Sequence, residues 1–358
     1  MKVFQIIPHL DVGGCERVAI NIAKSKTIGF EYHVVEIYRG RGDVSNTLNI
    51  ELERAGVVLH KAPKYALSPK VGILLFPFWF MRLANSVRPD IIHLHNEISL
   101  LAYFLFCKTT RIQKPELIVE TVHSCQLWNK WKLIGKIVEK YYQNNGKQVA
   151  VSNSVAQMYN KEYGATLDVI YNGVEEFHPK DFNNNVPEAI NILFAARLEE
   201  EKGVRAMIEV VSRLSAYSSL HFHIVGDGSF SDLVNRSLSA QVNVSLYHRI
   251  HNIAAILGSF DFVFMPSLFE GLPMLSIESS IVGTPVIAND CPSIVESLPD
   301  NWPLLVHNNN VNEYLYIFKN IGNFNREALS KLAQGYAKQY FSIRRMQKEY
   351  EKQYLAEG

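Results

Sequence analysis

Short β-branched runs alternate with longer stretches of helical period along this chain, and the alternation occurs twice. Candidate strands at 3–7, 32–38, 91–94, 117–121 and 148–151 are separated by patterned segments such as 16–26 and 73–87; a second set follows at 190–195, 221–225, 242–247, 262–265 and 285–288. The spacing leaves room for a crossover helix between successive strands, which a parallel pair requires. Each set therefore reads as βαβ units winding a parallel sheet, and the chain as two doubly wound α/β domains. Its 358 residues are enough for two cores of ordinary size.

Between the two sets, Tyr171, Asn172 and Gly173 open a run of turn chemistry that reaches Pro179, and 180–188, with three consecutive asparagines, loses all periodicity. The expected division is a first domain at 1–170, a linker at 171–189 and a second domain at 190–341. The segment 342–358 is charged and amphipathic, carries Tyr350 and Tyr354, and is expected to be a helix packing back onto the first domain. Ligands of open parallel sheets sit outside the carboxyl ends of the strands, so two such sheets are expected to face a central cleft.

Composition narrows the partners. The chain has 36 basic and 35 acidic side chains, which gives no electrostatic footprint for nucleic acid. By halves the balance is uneven: 1–170 holds 21 basic and 14 acidic residues, a net of +7, which leaves 15 against 21, or −6, for the rest. Cys15, Cys107, Cys125 and Cys291 are far apart and form no CxxC pair, so neither a zinc cage nor a disulfide framework is expected and a reducing cytoplasm fits. The apolar runs at 71–80 and 98–107 fall short of the roughly 20 residues a spanning helix needs. The expected location is the cytoplasm, with attachment no deeper than peripheral on the inner face of the cell membrane.

Three strand-to-helix connections carry the chemistry. After the strand at 262–265 comes Glu270, Gly271, Leu272, Pro273, Met274, Leu275 and then Glu278, two carboxylates flanking a glycine loop that opens a helix. A helix start exposes unpaired amides and the positive dipole end, which suits a diphosphate. Glu278 in the early turns is placed to accept from a ribose diol. After the strand at 190–195, Arg197 and Lys202 share one short connection, where two cations neutralise phosphate oxygens. After the first strand, Gly13 and Gly14 precede Glu16, and two glycines permit close backbone approach to a phosphate, although tight turns use the same pair. Gly226 and Gly228 follow another strand but lack the third glycine of a dinucleotide fingerprint. His95 and His123 each close a strand, a common position for a structural histidine as well as a ligand. No cluster has metal-ligand spacing and no Asp-x-Asp occurs, so neither metal nor cofactor is expected.

Together these pieces resemble the family-4 retaining glycosyltransferases of the GT-B fold. The likeness rests on GGxE at Gly13 to Glu16, His95 with Asn96, Thr121 with His123, Ser152 with Asn153, Asn172 with Gly173, Arg197 with Lys202 and Gly203, Gly226 with Gly228, and Glu270 with Glu278, in that order along nearly the whole chain. It implies two Rossmann-like doubly wound parallel-sheet domains facing a central cleft. It also implies metal-independent, retaining transfer of a hexose or N-acetylhexosamine from a UDP-sugar to a glycan or lipid-linked saccharide in capsule, lipopolysaccharide or other surface-polysaccharide synthesis. By the same likeness Arg197, Lys202, Glu270 and His123 are catalytic. Gly13, Gly14, Gly226, Ile250, Gly271, Leu272, Pro273, Met274, Leu275 and Glu278 join Arg197, Lys202 and Glu270 in holding the donor, and His9 and His95 lie on the acceptor side. At His248, near the expected base site, the family pattern commonly has glycine, so the base is less firmly specified than the diphosphate.

For the acceptor, 126–142 mixes Trp128 and Trp131 with Lys130, Lys132, Lys136 and Lys140 at roughly helical spacing, as an interfacial helix on an anionic membrane does and as a surface helix covering its sheet also does. Other GT-B chemistries, a sugar phosphorylase or a nucleotide-sugar epimerase, want the same cations, and a non-catalytic partner subunit keeps the same fold. A nicotinamide-dependent oxidoreductase is disfavoured, because the first βα unit has no GxGxxG.

Overall fold

The computed structural model describes every residue except 11–12, 41, 112–114, 130, 176–179, 251 and 356–358, and leaves out the side chains of Asp43 and Val44. Lys130, residues 176–179 of the expected linker and the end of the C-terminal segment therefore lie outside the described residues. The chain divides into two compact units, Met1–Gly173 with Ile343–Gly358, and Val174–Ser342.

The first unit contains β1 (Lys2–Ile7), α1 (Gly14–Ala23), β2 (Glu31–Glu36), α2 (Gly42–Ala55), β3 (Val58–His60), α3 (Pro69–Val87), β4 (Ile91–Leu94), α4 (Glu97–Thr109), β5 (Leu117–Val122), α5 (Lys132–Asn145), β6 (Lys147–Ala150), α6 (Asn153–Tyr163) and β7 (Asp168–Val169). Its strands are all parallel in the order β3-β2-β1-β4-β5-β6-β7. A parallel sheet covered on both faces buries its central strands completely; in β1 every residue after Lys2 is buried, and so is all of β4. The winding reverses between β1 and β4, where Val3 pairs with Ile91 and Ile6 with Leu94. Local signals set the helix starts: Ser68 accepts the Val71 amide ahead of Pro69, and Asn96 with Ser99 forms a capping box.

The second unit contains β8 (Ile190–Ala195), α7 (Val204–Arg213), β9 (Leu220–Val225), α8 (Ser231–Leu238), β10 (Val244–Tyr247), α9 (Ile253–Ile256), β11 (Phe262–Met265), α10 (Met274–Val282), β12 (Val286–Asn289), α11 (Pro292–Val295), β13 (Leu305–Val306), α12 (Val311–Lys319) and α13 (Arg326–Tyr340). The strand order is β10-β9-β8-β11-β12-β13, again all parallel, with the reversal between β8 and β11. Met207, Val210 and Val211 of α7 and Phe318 of α12 bury the sheet through Phe222, Ile224 and Phe264.

Two features depart from the sequence pattern, and a third agrees with it. The polar stretch 180–189 is anchored rather than free: the Lys180 amide donates to the Ala255 carbonyl, the Phe182 amide to the Ser259 hydroxyl, and the Phe182 ring packs against His223, Tyr247 and Phe260. The expected single helix over 126–142 begins only at Lys132. Trp128 has φ 54, is buried, and donates its indole NH to Glu139 at 2.7 Å while its ring fills the space beside Gly135. The C-terminal helix, α14 (Ile343–Leu355), packs on α1 in the first unit, with Gln347 donating to the Asn21 carbonyl at 2.7 Å and Tyr350 and Tyr354 buried.

Candidate functional site

In the second unit the connections after β8, β9, β10 and β11 meet through their backbones. The Leu198 amide donates to the Asp227 carbonyl at 2.8 Å, the Gly226 amide to the Tyr247 carbonyl at 3.0 Å, and the Leu268 amide to the Glu201 carbonyl at 2.9 Å. Glycine is required where they touch. Gly203, at φ 68, starts α7 with its α-carbon against the Pro266 carbonyl, and Gly226 lies against the Ala196 carbonyl, so a β-carbon at either position has no room.

On this frame the Lys202 ammonium meets Glu270 Oε1 at 2.7 Å, with 19% and 13% of the two side chains exposed. Lys202 follows β8 and Glu270 follows β11, so the pair straddles the strand reversal, where ligands of open α/β sheets bind. The Glu270 carbonyl accepts the Ser293 hydroxyl at 2.7 Å, which fixes the loop against α11. Four residues after Glu270, α10 begins with Pro273 as its N-cap and no side-chain acceptor on its first amides, leaving donors and the positive dipole end open to an anion. Gly271 is half-buried, Leu272 and Leu275 turn their side chains into or against the core, and Glu278 is half-buried in the second turn. Arg197 is 73% exposed and pairs with Glu201 at 3.0 Å, within the connection that carries Lys202. Ile250 packs partly on the core, and His248 faces Asp227 at 3.1 Å on the surface. Among the described residues no group of three His, Cys, Asp or Glu is arranged to hold a metal ion.

In the first unit Gly13 caps α1 without side-chain help, and the Glu16 carboxylate folds back into the space where a side chain on Gly13 would lie, taking the Cys15 thiol at 3.0 Å. Burial pushes that thiol well up from its ordinary value. His9 stacks on Tyr38 at 4.5 Å between ring centroids. His95, after β4, and His123, after β5, are joined Nδ1 to Nε2 at 3.2 Å. Burial holds His123 down to about 3 and His93 and His95 well below the ordinary imidazole value, with the neighbouring rings adding to the effect on the latter two. All three are neutral at physiological pH.

The structure thus joins Lys202 to Glu270 and His95 to His123, and gathers Arg197, Gly226 and the 271–275 loop on the frame of the first pair. Several positioning residues escaped the sequence pattern. Ser293 pins the Glu270 loop, Asn289 and Asn309 donate to the Ser267 and Pro266 carbonyls, and Glu199 accepts from Ser229. Gln5 and His93 lie inside buried strands where the pattern does not single them out, and Thr121 enters only as part of the match with His123; the one signal for Gln5 is a lone amide inside an apolar run.

The chain resembles several known proteins. Residues 12–176 match the model described as Glycosyltransferase Family 4, and residues 189–319 that described as Glycosyl transferases group 1. An uncharacterized 41.2 kDa protein in the cps region of Klebsiella pneumoniae is 26% identical over 234 residues, 59% of this chain and 63% of that one. The GalNAc-alpha-(1->4)-GalNAc-alpha-(1->3)-diNAcBac-PP-undecaprenol alpha-1,4-N-acetyl-D-galactosaminyltransferase of Campylobacter jejuni is 20% identical over 286 residues, 78% of this chain and 76% of that one. The crystal structure of Anabaena Alr3699/HepE in complex with UDP-glucose superposes with a TM-score of 0.77 over 98% of each chain, at 17% identity.

Proposed function

The chain belongs to the family-4 glycosyltransferases of the GT-B fold, of the surface-polysaccharide type, and from that premise we propose that it moves a hexose or N-acetylhexosamine from a UDP-sugar to a glycan or lipid-linked saccharide, with retention and without a metal. The observation that carries this is the Lys202–Glu270 pair astride the strand reversal, beside the uncapped start of α10. Lys202, Arg197 and the α10 amides stabilise the departing diphosphate, and Glu278 takes the ribose. A leaving phosphate oxygen accepts the proton of the attacking acceptor hydroxyl, so the glycosidic C–O bond forms on the face from which the C–O bond to phosphate breaks. Preorganised positive groups supply most of the rate enhancement. His123 is assigned to the transferred sugar.

We further assign the first unit to an anionic membrane surface bearing the acceptor. On α3, Leu74 and Phe78 are 68% and 67% exposed with Val71 and Met81 in the same stripe, flanked by Lys70 and Arg82; on α5, Leu133 is 82% exposed beside Ile134 and Ile137, among Lys132, Lys136 and Lys140. α4 packs against both helices. No helix of the described residues is long and apolar enough to cross a membrane.

The test of transfer is release of UDP from a panel of UDP-sugars with and without lipid-linked saccharide, together with the anomeric configuration of the product by NMR. UDP release that ignores the acceptor rules out a transferase, and an inverted product rules out retention.

A further inference from the structure

Gln5 is the only polar residue among the buried positions of β1, and its amide has two partners: Nε2 donates to the Tyr354 hydroxyl at 3.1 Å and Oε1 meets His95 Nε2 at 2.5 Å. The consequences propagate in both directions. Since Oε1 only accepts, His95 carries its proton on Nε2. A neutral His95 then has a bare Nδ1, and the 3.2 Å contact to His123 is completed only if His123 donates from Nε2. On the other side, the Tyr354 hydroxyl, already accepting from Gln5, gives its proton to His93 Nδ1 at 2.7 Å. His93 then donates from Nε2 to Thr121 at 2.7 Å, and Thr121 is bonded to Tyr350 at 2.9 Å. The His93 and His95 rings lie 4.1 Å apart. The chain of bonds is buried except at its His123 end, which is half-exposed. His123 Nδ1 makes no hydrogen bond to any described residue.

We propose that Gln5, His95 and Tyr354 are positioning residues that hold His123 as its Nε2–H tautomer, so that Nδ1 meets the ligand as an acceptor and selects a sugar hydroxyl over a carboxylate or carbonyl oxygen. The inference rests on the assignment of His123 to the transferred sugar. It adds what that assignment leaves open: the polarity of the contact, set from the C-terminal helix. Because each hydrogen bond fixes the next, reversing the Gln5 amide reverses every donor and acceptor along the chain, and His123 then presents a proton. Specificity of this kind arises because an acceptor facing another acceptor leaves both unpaired.

Two measurements on the full-length protein separate this proposal from the assignment beneath it. Nitrogen-15 NMR of histidine-labelled protein, with His123→Gln assigning the resonance, distinguishes a protonated ring nitrogen from a bare one. The expected result is a bare Nδ1 and a protonated Nε2 on His123, with a mixture of tautomers in Tyr354→Phe and Gln5→Met. A protonated Nδ1 in the wild-type protein overturns the proposal, and that reading needs no variant to fold. The second measurement compares kcat/KM for whichever of UDP-glucose, UDP-galactose and their N-acetyl forms turns over with analogues in which one sugar hydroxyl is replaced by fluorine, an acceptor with no proton. One position is expected to lose roughly tenfold in the wild-type protein and to lose less in Tyr354→Phe. A bare Nδ1 with no sensitive position overturns the placement of the sugar on His123 and with it the selection, while leaving the tautomer finding intact.

Discussion

Lys202 and Glu270 stand 2.7 Å apart across 68 residues of sequence, one at the end of the connection after β8 and the other midway along the connection after β11. A part-buried ion pair is weak as a source of stability, since desolvation cancels much of the attraction. Its position at a strand reversal favours a functional role. Lys202→Met is expected to lower turnover by on the order of 10²-fold, the scale of removing one charge-stabilising donor. It also leaves the Glu270 carboxylate without its cation, for about 1–3 kcal/mol of stability. The double variant Lys202→Met with Glu270→Gln removes the orphaned charge and is expected to regain stability in denaturant titration while staying inactive. Turnover restored along with stability would falsify the phosphate role of Lys202.

Gly203 holds the same frame through its backbone. At φ 68 any other residue is strained by about 1–2 kcal/mol, and a β-carbon there meets the Pro266 carbonyl directly. Gly203→Ala is therefore expected to destabilise the second unit by more than that strain alone and to weaken UDP binding, as the Lys202 and Glu270 loops move apart. Gly322 has nothing within 4 Å of where its β-carbon would be, so Gly322→Ala serves as the control, within about 0.5 kcal/mol of the parent. Equal midpoints for the two variants would remove Gly203 from the frame.

The βα alternation was legible because parallel strands buried on both faces must be continuously apolar, a pattern that survives without any knowledge of partners. The loops of the candidate site were legible for a related reason: glycines and cations follow directly on those strands. What was not legible depends on pairing across long separations. β3, β7 and β13 are two or three residues long and exist only because a neighbour supplies their hydrogen bonds. Trp128 matched a helical lysine and tryptophan pattern, yet its ring is held by Glu139 and Gly135 behind a left-handed turn. Gln5 and Tyr354, 349 positions apart, have no mutual signal in one sequence. Phe182 hid in a polar stretch, where one aromatic ring decides that the segment docks.

The stripes on α3 and α5 give a membrane prediction with a sign. Their apolar side chains supply burial and their flanking lysines supply attraction to anionic headgroups, at about 1 kcal/mol per basic residue near the surface. The protein is expected to float with vesicles containing anionic phospholipid, to be released by high salt, and to lose flotation in Leu74→Glu with Phe78→Glu. These side chains are solvent-exposed, so the folded state keeps its melting temperature. Equal recovery with neutral and anionic vesicles removes the electrostatic half of the assignment, and unchanged flotation of the double variant removes α3.

Acid stability tests the buried histidines directly. Burial is the first cause of a lowered value at His33, His60, His93, His95, His123, His221 and His223, with His60 and His223 brought to about 4 and His123 to about 3. The unfolded chain takes up these protons near 6.5 and the folded chain does not, so the histidine contribution is complete above about pH 6.5 and declines as pH falls toward 4. Glu120 and Glu139 act in the opposite direction. Burial raises both, and the unfolded chain releases their protons first, so their contribution grows on acidification. Seven imidazoles against two carboxylates decides the sign. The melting temperature is expected to fall steadily from pH 6.5 to 4.5, by roughly 2–4 °C for each kcal/mol lost. His93→Gln, which keeps a hydrogen-bonding group but cannot take up a proton in the unfolded chain, is expected to flatten that slope even if it lowers the melting temperature at pH 7. A slope unchanged by that substitution shows that His93 is not one of the groups responsible.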